Sequence, residues 1–320
     1  MREFTIGKNE AGQRFDKYLF KLLKNAGGGL LYKQLRNKNI TLNGHKAKGS
    51  EILSENDTVK VFMADDTIDK FMGETVIRKT DTGFRLSVIY EDDNVIICDK
   101  PQGILSQKAK PDDLSMNEYL IEYMLQNGLS RDSLSTFKPA FVNRLDTNTS
   151  GLVIAGKSLA GLQEMSRLIR ERLVEKYYLA IVCGRMTEST TLKGYLIKDE
   201  KSNTVTIHDE PTKDAVFIHT GYEVLRAGDD FSLLKVHLIT GKTHQIRAHL
   251  AHLGHPILGD GKYGDAGLNR KYHEKYQLLH SFELIFPKLS GDFAVLSEKV
   301  ITSPYPKRFA KYFLPEDING

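Results

Sequence analysis

The sequence predicts an α+β protein: a small basic unit at the N-terminus and a larger body built on a mixed, largely antiparallel sheet flanked by helices. Three observations carry this. Strand-like runs outnumber helical ones, and several are adjacent and joined by turns, which argues against βαβ repeats. A chain of 320 residues has room for about two domains, each with its own core. The basic excess is confined to the first fifth of the chain, where residues 1–64 hold 12 Lys and Arg against 6 Asp and Glu. The remaining residues hold 33 against 35, so a cationic module joined to a near-neutral body is expected.

The first unit spans 1–64. Phe15, Leu19, Leu22 and Leu23 recur at helical spacing, and Ala26-Gly27-Gly28-Gly29 breaks that helix. Leu30 to Asn37 fits a second, basic helix, Ile40-Thr41-Leu42 a short strand, and Asn43-Gly44 a hairpin turn. Asp57 to Phe62 closes the unit as a strand. Residues 65–82 are polar and weakly patterned and read as a linker.

The body runs over 83–320. Val88–Tyr90 and Asn94–Cys98 are strand-like, Lys100-Pro101-Gln102-Gly103 is a turn, and residues 115–127 are helical. Residues 128–138 form a loop. Leu152–Ala155 is a buried strand, and Ser158 caps a helix whose apolar face is Leu159, Leu162, Met165 and Ile169. Strands follow at 175–183, 192–197, 203–208, 214–226 and 232–240. Thr243 is expected to cap a helix with Ile246, Leu250 and Leu253 on its face, ended by Gly254 and Pro256.

Composition excludes some classes. No run of about 18 apolar residues predicts a transmembrane helix, and Met1 to Thr5 show no apolar signal segment. Cys98 and Cys183 lack metal or redox spacing and read as buried reduced thiols, so a cytoplasmic protein is expected.

Two motifs mislead. Gly151–Ser158 fits the phosphate-loop pattern GxxxxGK[ST], but the intervening Leu-Val-Ile-Ala reads as the strand itself, with no separate strand before it. His244, His249, His252 and His255 lie close together without HExxH or a nearby cysteine, and read as polar lining of a cleft or as phosphate contacts rather than a metal site.

Three segments carry chemistry. Asn143-Arg144-Leu145-Asp146-Thr147-Asn148-Thr149-Ser150-Gly151 sets a carboxylate on a polar turn; alone, Asp146 would read as a cap. Thr240 to Leu250 puts Arg247 on the first turn of a helix, followed by the Gly-rich run 254–264. Glu175-Lys176-Tyr177-Tyr178-Leu179-Ala180 places a tyrosine on a strand.

These segments, with Leu279-His280-Ser281, resemble in content and order those of the RluA-type pseudouridine synthases, particularly the branch acting on large-subunit ribosomal RNA. Residues 13–62 resemble the S4 RNA-binding module that many members carry in front, and the whole resemblance covers about 13–290. It implies a uridine isomerase needing no metal or organic cofactor, with structured RNA, 23S ribosomal RNA first, as partner, and a monomer as the default. Asp146 would act at C1′, Arg247 would pair with it, and Tyr178 would stack on the base and help move the C5 proton. Arg144, Lys176, His244 and Gln245 would bind the substrate, with Arg144 holding the nucleotide out of its stack. Arg14, Lys17, Lys33, Arg36, Lys38, Lys46 and Lys48 are the candidates for phosphate contacts. Alternatives are the same chemistry on tRNA, or a non-catalytic RNA-binding or assembly protein on the same fold. The chain departs from the family pattern at Asn143, usually His, at Lys242, usually Arg, and at Gly27–Gly29.

Overall fold

The computed structural model describes residues 1–73 and 83–318. The N-terminal unit runs β1 (Arg2–Thr5), α1 (Phe15–Leu22), α2 (Gly28–Arg36), β2 (Ile40–Leu42), β3 (His45–Lys46), β4 (Thr58–Val61) and α3 (Asp65–Met72). Its strands form one sheet in the order β1-β4-β2-β3. The expected apolar stripe of α1 is the buried one: Phe15, Leu19, Leu22 and Leu23 pack with Leu31, Leu35, Ile40 and Val59. Two differences stand out. Strand β1 carries too short a pattern to be read from the sequence. The expected linker is helical over its first half, because Ile68 and Met72, four residues apart, reach the same core. The second half, 74–82, lies outside the described residues.

The body holds β5 (Ser87–Glu91), β6 (Val95–Lys100), α4 (Met116–Gln126), β7 (Ala140–Phe141), β8 (Ser150–Gly156), α5 (Leu159–Arg170), β9 (Glu175–Cys183), β10 (Thr190–Asp199), β11 (Thr204–His208), β12 (Val216–Ala227), β13 (Phe231–Leu238), α6 (Gln245–His252), α7 (Ala266–Lys271), β14 (Leu279–Ile285) and β15 (Val300–Thr302). They build an 11-stranded sheet with the path β11-β10-β12-β13-β9-β14-β8-β6-β5, to which β7 and β15 add at the side. Neighbours are antiparallel except β14 and β8, so the sheet is mixed and largely antiparallel, as expected.

Strand alternation sorts the core into two faces. On one face Cys98, Val153, Tyr178, Ala180 and Val236 meet Met116 and Leu120 of α4 and Ile246 and Leu250 of α6. On the other, Val95, Ile97, Leu152 and Ile154 meet Met165 and Leu168 of α5. The GxxxxGKS segment is strand β8 followed by Ser158, which accepts the Gly161 N–H at 2.9 Å as the cap of α5. No phosphate loop exists there. Gly151 is demanded by packing: its φ is +110°, and a Cβ would fall 2.2 Å from the Ser281 carbonyl oxygen on β14. That close approach is the one parallel pairing in the sheet, His280 with Ser150 and Ser281 with Gly151.

The two units touch. Thr136 Oγ1 donates to Glu10 Oε1 at 2.7 Å, and the Leu159 N–H donates to Asn9 Oδ1 at 2.8 Å at the start of α5.

Candidate active site

Asp146 sits on the turn between β7 and β8, and that turn is held from every side. The Asn143 Oδ1 accepts the Ile154 N–H at 2.7 Å, extending the pairing in which the Val142 N–H donates to the Ile154 carbonyl. Asn143 therefore works as an anchor of the turn. Ser106 Oγ accepts from the Leu145 N–H at 2.9 Å and donates to the Leu145 carbonyl at 2.7 Å. The Thr149 N–H closes the turn on the Asp146 carbonyl at 3.0 Å.

Beneath the turn lies Lys100, fully buried at the end of β6. Its ammonium donates to the carbonyls of Ile104 at 2.8 Å, Pro101 at 2.9 Å and Thr147 at 3.0 Å, which accounts for all three of its protons. Burial pulls its pKa down to about 8, against the attraction of the Asp146 and Asp99 carboxylates.

Arg247, on the first turn of α6, donates from Nη1 to Asp146 Oδ2 at 2.6 Å. Its other edge is gripped by Asp260: Nε to Oδ2 at 2.7 Å and Nη2 to Oδ1 at 2.8 Å. The Asp260 side chain has no exposure, whereas that of Asp146 is 29% exposed. The backbone N–H groups of Lys262 and Tyr263 also donate to Asp260 Oδ1. Burial works to raise the Asp260 carboxyl, yet Arg247 and these amides together carry it below the usual carboxylate range. Burial likewise works against the Arg247 charge, and the two carboxylates more than offset it.

Tyr178 lies on the same face of the sheet, buried, and feels the charge of Asp146. Burial pushes its phenol up to about 12, with a hydrogen bond to Ser281 opposing, so at neutral pH it is a neutral phenol. It can take a proton only by passing its own on. Arg247 thus contacts Asp146 directly, and Tyr178 lies within electrostatic reach of the same carboxylate.

The other expected substrate contacts divide. Arg144 is exposed beside Asp146 and makes no ion pair among the described residues. His244 faces the site: its Nε2 lies 3.9 Å from Asp146 Oδ2 and its Nδ1 2.9 Å from the Tyr263 hydroxyl. His244, not Thr243, is the N-cap of α6, in the left-handed region at φ 54°. Gln245 is a correction. It is buried, its Oε1 accepts from Thr240 Oγ1 and the Lys242 N–H, and its Nε2 donates to Thr220 Oγ1 and the His219 carbonyl. Its hydrogen-bonding groups are spent on tying α6 to β12. Lys176 shares the Tyr178 face of β9 but is mostly buried, its ammonium donating to the Val174 carbonyl at 3.3 Å; among the described residues it has no contact with Asp146. The other histidines of the cluster diverge as well. His249 is buried against Thr220, His252 pairs with Asp209, and His255 bonds the Cys183 carbonyl.

On the N-terminal unit, Lys17, Lys33, Arg36, Lys38, Lys46 and Lys48 are exposed and form no ion pair among the described residues. Arg14 does: it holds the buried carboxylate of Asp16 at 2.7 and 3.1 Å, with the Tyr32 hydroxyl donating to the same group at 3.0 Å. This pairing neutralises the buried Asp16 carboxylate.

Sequence reading missed Asp260, Lys100, Ser106 and Tyr263. Asp260 and Tyr263 lie in the Gly-rich run after α6, and Lys100 stands before a proline at a strand end. Each type-and-turn signal was visible, but nothing local tied them to Asp146.

The chain is similar to known proteins of one family. The model of the RNA pseudouridylate synthase family matches residues 94–252. An uncharacterized RNA pseudouridine synthase of Mycoplasma pneumoniae is 35% identical over 90% of this chain and 89% of its own length. Ribosomal large subunit pseudouridine synthase C of Rickettsia bellii is 32% identical over 86% of this chain and 90% of its own length. Human RNA pseudouridylate synthase domain containing 1 superposes with a TM-score of 0.56 at 25% identity, covering 72% of this chain and 86% of that structure. The chain belongs to the RNA pseudouridine synthase family, isomerases that act on uridine in RNA. No helix among the described residues is long and apolar enough to cross a membrane.

Proposed function

We propose that this isomerase converts one or more uridines of 23S ribosomal RNA to pseudouridine, with Asp146 as the catalytic carboxylate. The observation that carries the reading is the Asp146–Arg247 contact at 2.6 Å, made by an Arg whose other edge is already fixed by a buried carboxylate. A carboxylate oriented in this way, and partly open to solvent, suits an electron-poor carbon.

In the reaction the C1′–N1 bond breaks and its electron pair stays with the uracil. The base turns, C5 bonds to C1′, C5 loses a proton and N1 gains one. Cation character develops at C1′, and Asp146 stabilises or traps it, as a carboxylate does in retaining glycosidases. Tyr178 packs against the base, and its hydroxyl relays the C5 proton. Arg144, exposed beside Asp146 and without an internal ion-pair partner, is available to hold the flipped nucleotide out of its stack.

Relatives named for the ribosomal large subunit support the substrate. The exposed cations Lys17, Lys33, Arg36, Lys38, Lys46 and Lys48 support the reading of the N-terminal unit as an S4-like module that meets RNA phosphates. We read the enzyme as a cytoplasmic monomer. Mapping pseudouridines in 23S ribosomal RNA from a strain carrying Asp146→Asn tests the proposal: at least one site should revert to uridine. Full modification at every site would show that Asp146 is not the catalytic carboxylate.

A further inference from the structure

Tyr263 makes two hydrogen bonds that bear on where protons lie in the site. Its hydroxyl oxygen accepts the Val205 N–H at 2.8 Å, and it lies 2.9 Å from His244 Nδ1. A backbone N–H can only donate, so the Tyr263 hydroxyl is free to use its own proton elsewhere, and His244 Nδ1 is the acceptor within reach. A ring that accepts at Nδ1 is neutral and carries its proton on Nε2. Nε2 is the nitrogen that faces Asp146, at 3.9 Å.

The backbone conformation agrees with a placed group. His244 sits in the left-handed region at φ 54°, a conformation that non-glycine residues adopt sparingly. Its ring meets that of Tyr263 edge to face, centroids 5.6 Å apart, and the Arg247 guanidinium lies over the Tyr263 ring at 5.2 Å. Tyr263 therefore contacts both His244 and Arg247, which face Asp146 Oδ2. Burial lowers the His244 pKa, with Asp146 opposing and Arg247 and Lys262 adding to the lowering, which is consistent with a neutral ring.

We infer that Tyr263 locks His244 as the Nε2–H tautomer, and that this N–H donates a hydrogen bond to uracil O2 of the target nucleotide as the C1′–N1 bond breaks. The inference rests on the reading of Asp146 as the group at C1′. With C1′ at Asp146, O2 is the base oxygen nearest the breaking bond, because C2 is bonded directly to N1. The electron pair left on the ring is shared with O2, so a neutral donor there stabilises charge that is absent from the starting nucleotide. Tyr263 is a positioning residue acting through His244.

The test uses full-length protein: wild type, Tyr263→Phe, His244→Phe and the double variant. Nitrogen-15 spectra of the His244 ring should show a protonated Nε2 and an unprotonated Nδ1 in wild type, and a tautomer mixture in Tyr263→Phe. Single-turnover rates are measured on an in vitro transcript of 23S ribosomal RNA, and on the same transcript made with 2-thiouridine. His244→Phe should slow turnover by about 100-fold and Tyr263→Phe by about 10-fold, both with transcript affinity retained. In the His244→Phe background, Tyr263→Phe should add nothing. Thio substitution should slow wild type but leave His244→Phe unaffected. A protonated Nδ1 in wild type, or a Tyr263→Phe penalty that persists without His244, overturns the tautomer lock. An equal thio effect in both backgrounds overturns the O2 contact. Asp146→Asn is assayed alongside: full turnover by that variant removes the underlying reading and the O2 contact with it, while the spectra still decide the tautomer.

Discussion

Arg247 is held by both oxygens of Asp260, at 2.7 and 2.8 Å, before it reaches Asp146. The guanidinium is planar, so two bonds to one carboxylate set its plane and aim its remaining Nη1. Asp260 in turn is fixed by two backbone N–H groups. The Asp146 carboxylate thus takes its direction from a second carboxylate whose side chain has no exposure.

Asp260→Asn should therefore lower turnover while leaving RNA affinity nearly intact, since the residue is buried behind Arg247. It breaks a buried ion pair, so unfolding free energy should fall by about 3–5 kcal/mol. Single-turnover kinetics and denaturant melts of the same preparation check both effects. Wild-type kinetics in a folded Asp260→Asn enzyme would show that Arg247 needs no second anchor.

Lys100 gives a pH-dependent signature. Its pKa is about 8 in the folded protein, against the 10.5 of a free lysine side chain, so between these values the unfolded chain binds more protons than the folded one. Stability contributed by this group therefore rises with pH across roughly pH 8 to 10.5. Lys100→Met lacks the titration. The difference in unfolding free energy, wild type minus variant, should climb across that window and flatten above it. A flat difference would mean that Lys100 is not titrating from a buried state. Below pH 8 the variant leaves three carbonyls without their donor, and its turnover should fall as the Asp146 turn loosens.

Tyr178→Phe keeps the ring and removes the hydroxyl. If the hydroxyl relays the C5 proton, turnover should fall by about 100-fold or more with little change in RNA affinity. Turnover equal to wild type would leave the stacking ring as the whole of its contribution.

The cationic face of the N-terminal unit is tested by Lys33→Glu with Arg36→Glu, both exposed on α2. Binding to ribosomal RNA transcripts should weaken across sequences, and the dependence of affinity on salt should become shallower by about one unit per lost phosphate contact. Arg14→Gln should instead lower stability, because it strands the buried Asp16 carboxylate. An unchanged salt dependence in the double variant would mean that RNA does not cross this face.

Sequence by itself determined a good deal here. Asp146, Tyr178 and Arg247 were legible because each stands in a short run whose residue types fit one family and make poor core: a carboxylate on a polar turn, a tyrosine on a strand, an arginine at a helix start. The elements around them were legible because burial enforces a period of two on strands such as β9 and of 3.6 on helices such as α5. Only the tertiary structure decided which polar groups are spent within the fold and which are left facing Asp146. Gln245 and His244 are adjacent in one motif, yet one is consumed between α6 and β12 and the other faces Asp146. Arg14 looks like its neighbours Lys17 and Lys33 until Asp16 is seen beneath it. Asp260 and Lys100 reach the Asp146 turn from 114 and 46 residues away in sequence. A charge states what it can bond, but its partner is chosen by the packing that brings distant segments within 3 Å, and that choice leaves no local pattern in the chain.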